Sequence, residues 1–278
     1  MSSANQETAG PFSSFGRAAY DAVAALGDLA AFGGRMLAWL VRRRPVRGTL
    51  LGSLYAVGVL SVPVVAVTGT FIGMVLAVQS YSQFHSIGLD TRLGALINVN
   101  IVRELGPVLA ATMIAGRVGS AMAAELGTMR ITEQVDALSC LGFNPVHYLV
   151  VPRFLACVLL IPLLSLLADF MGIMGGALIC TRVYHVEAHY YWAHAQAYVG
   201  LWDVSSGLIK SVFFGGAIAV IGCHRGLNCR PGAEGVGRAA TEAFVASFIA
   251  ILVLDFFLAV FLNDLSVRLW PAAGAKLM

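Results

Sequence analysis

The chain has 278 residues, of which 58% are hydrophobic and 12% charged. An ordinary soluble domain carries roughly 25% charged residues, so this composition excludes a soluble globular protein and places the chain in a bilayer. A net charge of +3 is too small to point to nucleic acid. The cysteines (Cys140, Cys157, Cys180, Cys223 and Cys229) form no C-x-x-C pair and read as small buried hydrophobes.

In chain order, the N-terminus lacks a basic segment followed at once by an apolar core, so no cleavable signal peptide is expected. Residues 12–41 instead read as an amphipathic helix. Phe12, Phe15, Ala19, Val23, Leu26, Leu29, Met36 and Leu40 recur near helical spacing, with Arg17, Asp21, Asp28 and Arg35 between them. A transmembrane region follows directly, so an interfacial helix is preferred over a soluble one. Residues 1–47 are taken as an N-terminal tail with this helix, and residues 48–278 as the membrane domain.

Residues 48–89 contain no Asp, Glu, Lys or Arg. That is too long for one upright span of about 20 residues. Pro63 and the glycines 52, 58, 69 and 73 predict a long first span with a kink. Four further spans are predicted at about residues 93–124, 149–180, 206–222 and 244–262. The expected fold is an all-α membrane protein with an interfacial N-terminal helix and about five transmembrane helices. Arg42, Arg43, Arg44, Arg47, Arg130, Arg225, Arg230 and Arg238 fall on one side, against Arg92, Arg182, Arg268 and Lys276 on the other. The positive-inside rule then puts the N-terminus in the cytoplasm and the C-terminus outside.

A charged segment, residues 125–142, interrupts two of the most apolar regions and lies on the cytoplasmic side. Ile131, Val135, Leu138 and Leu141 share one face of a short helix, while Arg130, Glu133, Gln134 and Asp136 occupy others. Thr132 is placed to cap it, Glu133 falls in its first turn, and Gly142 and Pro145 can end it. Periodicity alone is satisfied by a solvated loop helix. The alternative is a docking helix for another protein. No G-x-x-x-x-G-K-[ST] phosphate loop occurs. Any ATP-driven transport therefore needs a separate ATPase chain, and ATP and Mg²⁺ would be used there.

Charged groups within spans are functional candidates. Arg103 and Glu104, followed by Pro107, are the best candidates for a polar patch on a lipid headgroup pathway; an ion pair tying helices together is the equal alternative. Arg117, Lys210 and Asp255 complete the set of pathway candidates. Arg153 and Lys210 lie near predicted helix ends, where long side chains can reach the interface. Asp255 needs a partner, for which Lys210 or Arg117 is suitable. For Asp169 and Asp255 a structural role is the simpler reading. Small residues at 115, 119 and 123 and at 116, 120 and 124, like Gly172, Gly175 and Gly176, predict close helix packing, within one subunit rather than at a dimer seam. His185, His189 and His194 fall among Tyr190, Tyr191, Trp192, Tyr198 and Trp202. That setting reads as an interfacial aromatic belt rather than a metal site. No nucleophile and base constellation is visible, so no catalytic residue and no metal ligand is assigned.

The run RELGPVLAATMIAGRVGSAMAAELGTMRITEQVDAL, with FIGMVLAVQSYSQFHSIG before it and GAEGVGRAATEAFVASFIAILVLDFF after it, resembles the MlaE-like permeases. These are membrane subunits of ABC transporters that work with MCE-domain proteins. The resemblance covers roughly residues 50–265. It implies a homodimer, a cytoplasmic ABC ATPase partner, an MCE-domain periplasmic partner and contact with membrane lipids, with phospholipid as the expected cargo at a bacterial inner membrane. It also implies a coupling helix between spans two and three, carried by Glu125, Arg130, Thr132, Glu133, Gln134, Asp136 and Leu138. Two rivals remain. An ion-driven secondary transporter would use Asp169, Asp255 and Glu104, but no internal repeat supports it. An intramembrane enzyme would need a constellation that the sequence does not show.

Overall fold

A computed structural model describes residues 11–42, 47–86 and 92–269, with the side chains of residues 11–19, 21, 22, 47 and 269 left aside. Arg43, Arg44 and Lys276 of the charge pattern lie outside the described residues, as do the start of the first assigned region and the end of the second. The described residues are helical and contain no strand. The protein is a multi-pass, all-α membrane protein. Six helical stretches are long and apolar enough to cross a membrane. Five correspond to the expected spans, and the sixth, Val23–Arg42, belongs to the N-terminal helix α1 (Pro11–Arg42).

Helix α1 docks by its C-terminal half. Phe32 and Met36 are buried in the main core, and Phe32 meets the His224 ring edge-on. Val23 and Leu26 of the expected apolar stripe are exposed. The side chains of Phe12, Phe15 and Ala19 lie outside the described residues.

The first span is interrupted. Helix α2 (Arg47–Val57) gives way to a single 3₁₀ turn, Val59–Ser61, before α3 (Val62–His85). The break lies ahead of Pro63, which sits in the first turn of α3, where its missing N–H costs nothing. The carbonyls freed by the break are met locally. Ser61 Oγ donates to the Val57 carbonyl at 2.6 Å, and Arg117 Nη1 donates to the Ala56 carbonyl at 3.2 Å.

The second span is one helical rod, Leu93–Ile131. It consists of α4 (Leu93–Asn100), α5 (Gly106–Ile114) and α6 (Ser120–Ile131), joined by π-turns at Ile101–Leu105 and Ala115–Gly119. Pro107 explains the first of these. In a regular α-helix its ring would press on the Arg103 carbonyl four residues back, and the wider turn relieves the clash. A third π-turn, Val146–Val150, stands in the same relation to Pro152 at the start of α8 (Val151–Arg182).

Between these spans runs α7 (Gln134–Cys140), and after α8 come α9 (Ala188–Tyr198), α10 (Leu201–Leu227) and α11 (Ala233–Leu269). Helix α8 packs on α3 and α10, and α10 packs on α6 and α11. Glycines set the closest of these seams. A Cβ at Gly73 would overlap the Gly172 carbonyl, and one at Gly226 would lie 2.8 Å from the Ala123 carbonyl. The small-residue stripes of spans two and three thus serve packing within one chain, as expected. Helix α9 covers α4. Tyr191 is fully buried and donates from its hydroxyl to Asn98 Oδ1 at 3.2 Å.

Helix α7 ends in a Schellman motif. The Phe143 N–H reaches the Leu138 carbonyl at 3.1 Å and the Gly142 N–H the Ser139 carbonyl at 3.0 Å, with Gly142 at φ +81°. Gly142→Ala is therefore expected to destabilise this cap by about 1 kcal/mol through left-handed strain. Hydrogen exchange should quicken at Gly142 and Phe143 and stay unchanged in α8.

Candidate functional site

Each π-turn of the second span adds a residue to its turn and so redirects the side chains it carries. The first holds Arg103 and Glu104, and the second holds Arg117. These three are the lipid-pathway candidates that the sequence places in this span, and they face two different places.

Arg103 and Glu104 join a cluster built with α10 and α11. The Arg103 guanidinium is ion-paired through Nε with Asp203 Oδ1. Asp203 also accepts the Gly200 N–H on Oδ2 at 2.7 Å, so one carboxylate both caps the start of α10 and holds Arg103. Lys210 Nζ lies 2.5 Å from Glu104 Oε2 and 3.0 Å from Asp255 Oδ1, the latter off the hydrogen-bonding direction. The side chains of Lys210 and Asp203 are 2% and 5% exposed, whereas that of Glu104 is 45% exposed. The cluster therefore has a buried base of Lys210 and Asp203 and presents Glu104 and Arg103 outward. Three carboxylates against two cations leave it one negative charge when all are ionised. Both readings of Arg103 and Glu104 meet here, since each is in an ion pair and each also keeps part of its surface open.

Two expectations change. Lys210 does not reach out to an interface, because α10 extends well beyond the predicted span and buries it in mid-helix. Arg117 is not the partner of Asp255; it lies fourteen residues from Arg103, about 20 Å along the helix. Its Nη1 donates to Ser61 Oγ at 2.5 Å and to the Ala56 carbonyl. Asp169 is buried in α8 and, among the described residues, forms no ion pair with the cluster; its Oδ1 lies against Gly106 without a hydrogen-bond partner. Asp203 was missed. Its signal was available as Gly200-x-x-Asp203 ahead of an apolar run, a helix start with an acid in the first turn. Among the described residues, His185, His189 and His194 do not join a group of three or more potential metal ligands.

The charged segment between spans two and three is a turn and a short helix. Span two runs on to Ile131, and Glu133 then takes a left-handed conformation (φ 59°) that reverses the chain into α7. Thr132 does not cap α7; its hydroxyl donates back to the Thr128 carbonyl at 2.8 Å. Arg130 Nη1 and Asp136 Oδ1, 2.6 Å apart, brace α7 against α6. Val135 is buried and Leu138 packs on the core, but Leu141 is 72% exposed and Ile131 belongs to α6. The free face of the knob is Glu133, Gln134, Leu141 and Phe143. Phe143 was not singled out from sequence, because it lies past the glycine that ends the periodic pattern. Glu125 stands apart from the knob and pairs with Arg153 at 3.1 Å.

Residues 50–261 match the family described as Permease MlaE. The "Probable ABC transporter permease protein" of Synechocystis is 43% identical over 225 residues, covering 81% of this chain and 86% of that protein. The "Intermembrane phospholipid transport system permease protein MlaE" of Haemophilus influenzae is 38% identical over 210 residues, 75% of this chain and 80% of its own. The chloroplastic protein TRIGALACTOSYLDIACYLGLYCEROL 1 of Arabidopsis thaliana is 39% identical over 211 residues, 76% of this chain and 60% of the plant protein.

Proposed function

The chain belongs to the MlaE permease family, and on that premise we propose that it is the membrane subunit of an ABC transporter that moves phospholipid. It works as a homodimer in a bacterial inner membrane, with its N-terminus cytoplasmic and its C-terminus periplasmic. A separate cytoplasmic ATPase binds ATP and Mg²⁺ and supplies the energy, and an MCE-domain protein on the periplasmic side passes or receives the lipid. The chain itself carries out no covalent chemistry.

One observation carries this reading. A single helical rod, Leu93–Ile131, bears the charged cluster near one end and leads directly into the α7 knob at the other. A push on the knob is delivered along a stiff helix to Arg103 and Glu104. The exposed acid, amide and apolar groups of the knob suit a groove on a partner protein. The name of the Haemophilus relative supplies the cargo class. Glu104 and Asp255 are both held by Lys210, which weighs against their use as free ion carriers in a gradient-driven transporter.

The test is gentle-detergent capture of the chain from its native membrane with mass spectrometry of what is retained. An ATPase and an MCE-domain protein are expected, with the ATPase lost at least tenfold in Glu133→Lys. Asp136→Lys should lose it too, in part because the brace to Arg130 goes; Asp136→Asn separates the two effects. A chain that never retains an ATPase overturns the proposal.

A further inference from the structure

The second π-turn turns Arg117 away from the charged cluster and into a groove between α2 and the facing parts of α6 and α8. The groove has a volume of about 520 Å³, within the range of small-molecule sites (roughly 300–1,000 Å³). Ala56, Val57, Leu60, Val118 and Met122 line its inner part, while Thr49, Ser53, Tyr148 and the Arg153–Glu125 pair stand toward the coupling segment. Its walls are apolar and its polar groups lie at defined points.

Arg117 is the unusual feature. A guanidinium has five N–H donors. One nitrogen, Nη1, serves Ala56 and Ser61. Among the described residues no carboxylate lies within ion-pairing distance of Arg117, and Nε and Nη2 have no protein acceptor. Within a bilayer such donors need a partner. Arg153, by contrast, is already paired with Glu125 and bonded to the Leu149 carbonyl.

We propose that this groove is a second lipid station, which holds a glycerophospholipid with its phosphate or ester oxygens on the free donors of Arg117 and an acyl chain along Val57, Leu60 and Met122. Phosphodiester and ester oxygens supply the acceptors that the site lacks, and the phosphate supplies the opposite charge. The apolar inner wall excludes a small hydrophilic anion as the main occupant. The station lies on the coupling-segment side of the membrane, about 20 Å along span two from Arg103. It rests on the reading above that the chain handles phospholipid, and it adds a place where lipid is held on the side of the ATPase.

The experiment uses the full chain in nanodiscs, without ATP or partners, and a photoactivatable phosphatidylglycerol. Labelling is expected within residues 49–60 and 118–129. Arg117→Gln should lower it at least fivefold while labelling around residue 104 persists. Ala121→Trp, which fills the groove from an exposed lining position and leaves Arg117 in place, should do the same, and it decides the matter if Arg117→Gln fails to fold. Unlabelled phosphatidylglycerol should compete, and oleate or inorganic phosphate at equal concentration should not. Unchanged labelling in both variants, or equal competition by oleate or phosphate, overturns the proposal. If, in a separate reconstitution with ATP and whatever ATPase the chain retains from its native membrane, the wild-type chain transfers no lipid while labelling is intact, the transport reading fails and the station stands.

Discussion

Lys210→Met is expected to lower the thermal midpoint of the detergent-solubilised protein by about 10 °C, corresponding to roughly 3 kcal/mol. Lys210 is 2% exposed and stands between Glu104 and Asp255. Its removal leaves two carboxylates facing each other without the cation that holds them. Glu104 has open surface and can turn outward, but the Asp255 side chain is only 22% exposed and keeps most of the penalty. The double variant Lys210→Met/Asp255→Asn should therefore recover most of the loss, because breaking a buried pair costs more than neutralising both members. Cys157, Cys180 and Cys223 are buried as expected, but Cys140 is exposed and Cys229 half-buried, so a thiol-reactive dye reads unfolding in a Cys140→Ser/Cys229→Ser background. A midpoint within about 2 °C of the wild type for Lys210→Met, on the same scale, would show that the cluster does not hold the helices. Lipid transfer should stay impaired in the double variant even where the fold returns, since Glu104 loses the cation that fixes it.

The second large effect belongs to the seam between α3 and α8. A Cβ at Gly73 would overlap the Gly172 carbonyl, and the atom it meets is backbone rather than a flexible side chain. Gly73→Ala can be accommodated only by parting two helices along their whole contact, at a cost of about 3 kcal/mol. Gly52→Ala in the same span meets nothing within 4 Å and should be neutral or slightly stabilising. The same dye measurement compares them. Equal midpoints for the two variants would mean that the seam is looser than the structure shows.

Much of the architecture was legible in the sequence because membrane spans announce themselves by length and apolarity. All five spans fall where the apolar runs place them, though the last four run beyond their predicted ends. Span two continues to Ile131 and α10 begins at Leu201, because charged residues near a membrane surface do not stop a helix. That extension is why Lys210 was placed near an end and proved to be in the middle. The charged segment between spans two and three was recognisable by its charges and by Gly142. Its internal geometry was not, since a left-handed Glu133 carries no sequence signal.

The sequence by itself determined the membrane class, the spans, the small-residue faces and the isolated charged segment. Each of these depends on local composition or on a period within one helix. Only the tertiary structure decided that Arg103 pairs with Asp203, that Lys210 serves both Glu104 and Asp255, and that Arg117 opens onto a separate groove. Those partners are up to about a hundred residues apart in the chain. Which of them meet depends on the rotation of each helix about its axis. Two π-turns set that rotation in span two, by a hydrogen-bond shift that apolar periodicity does not encode.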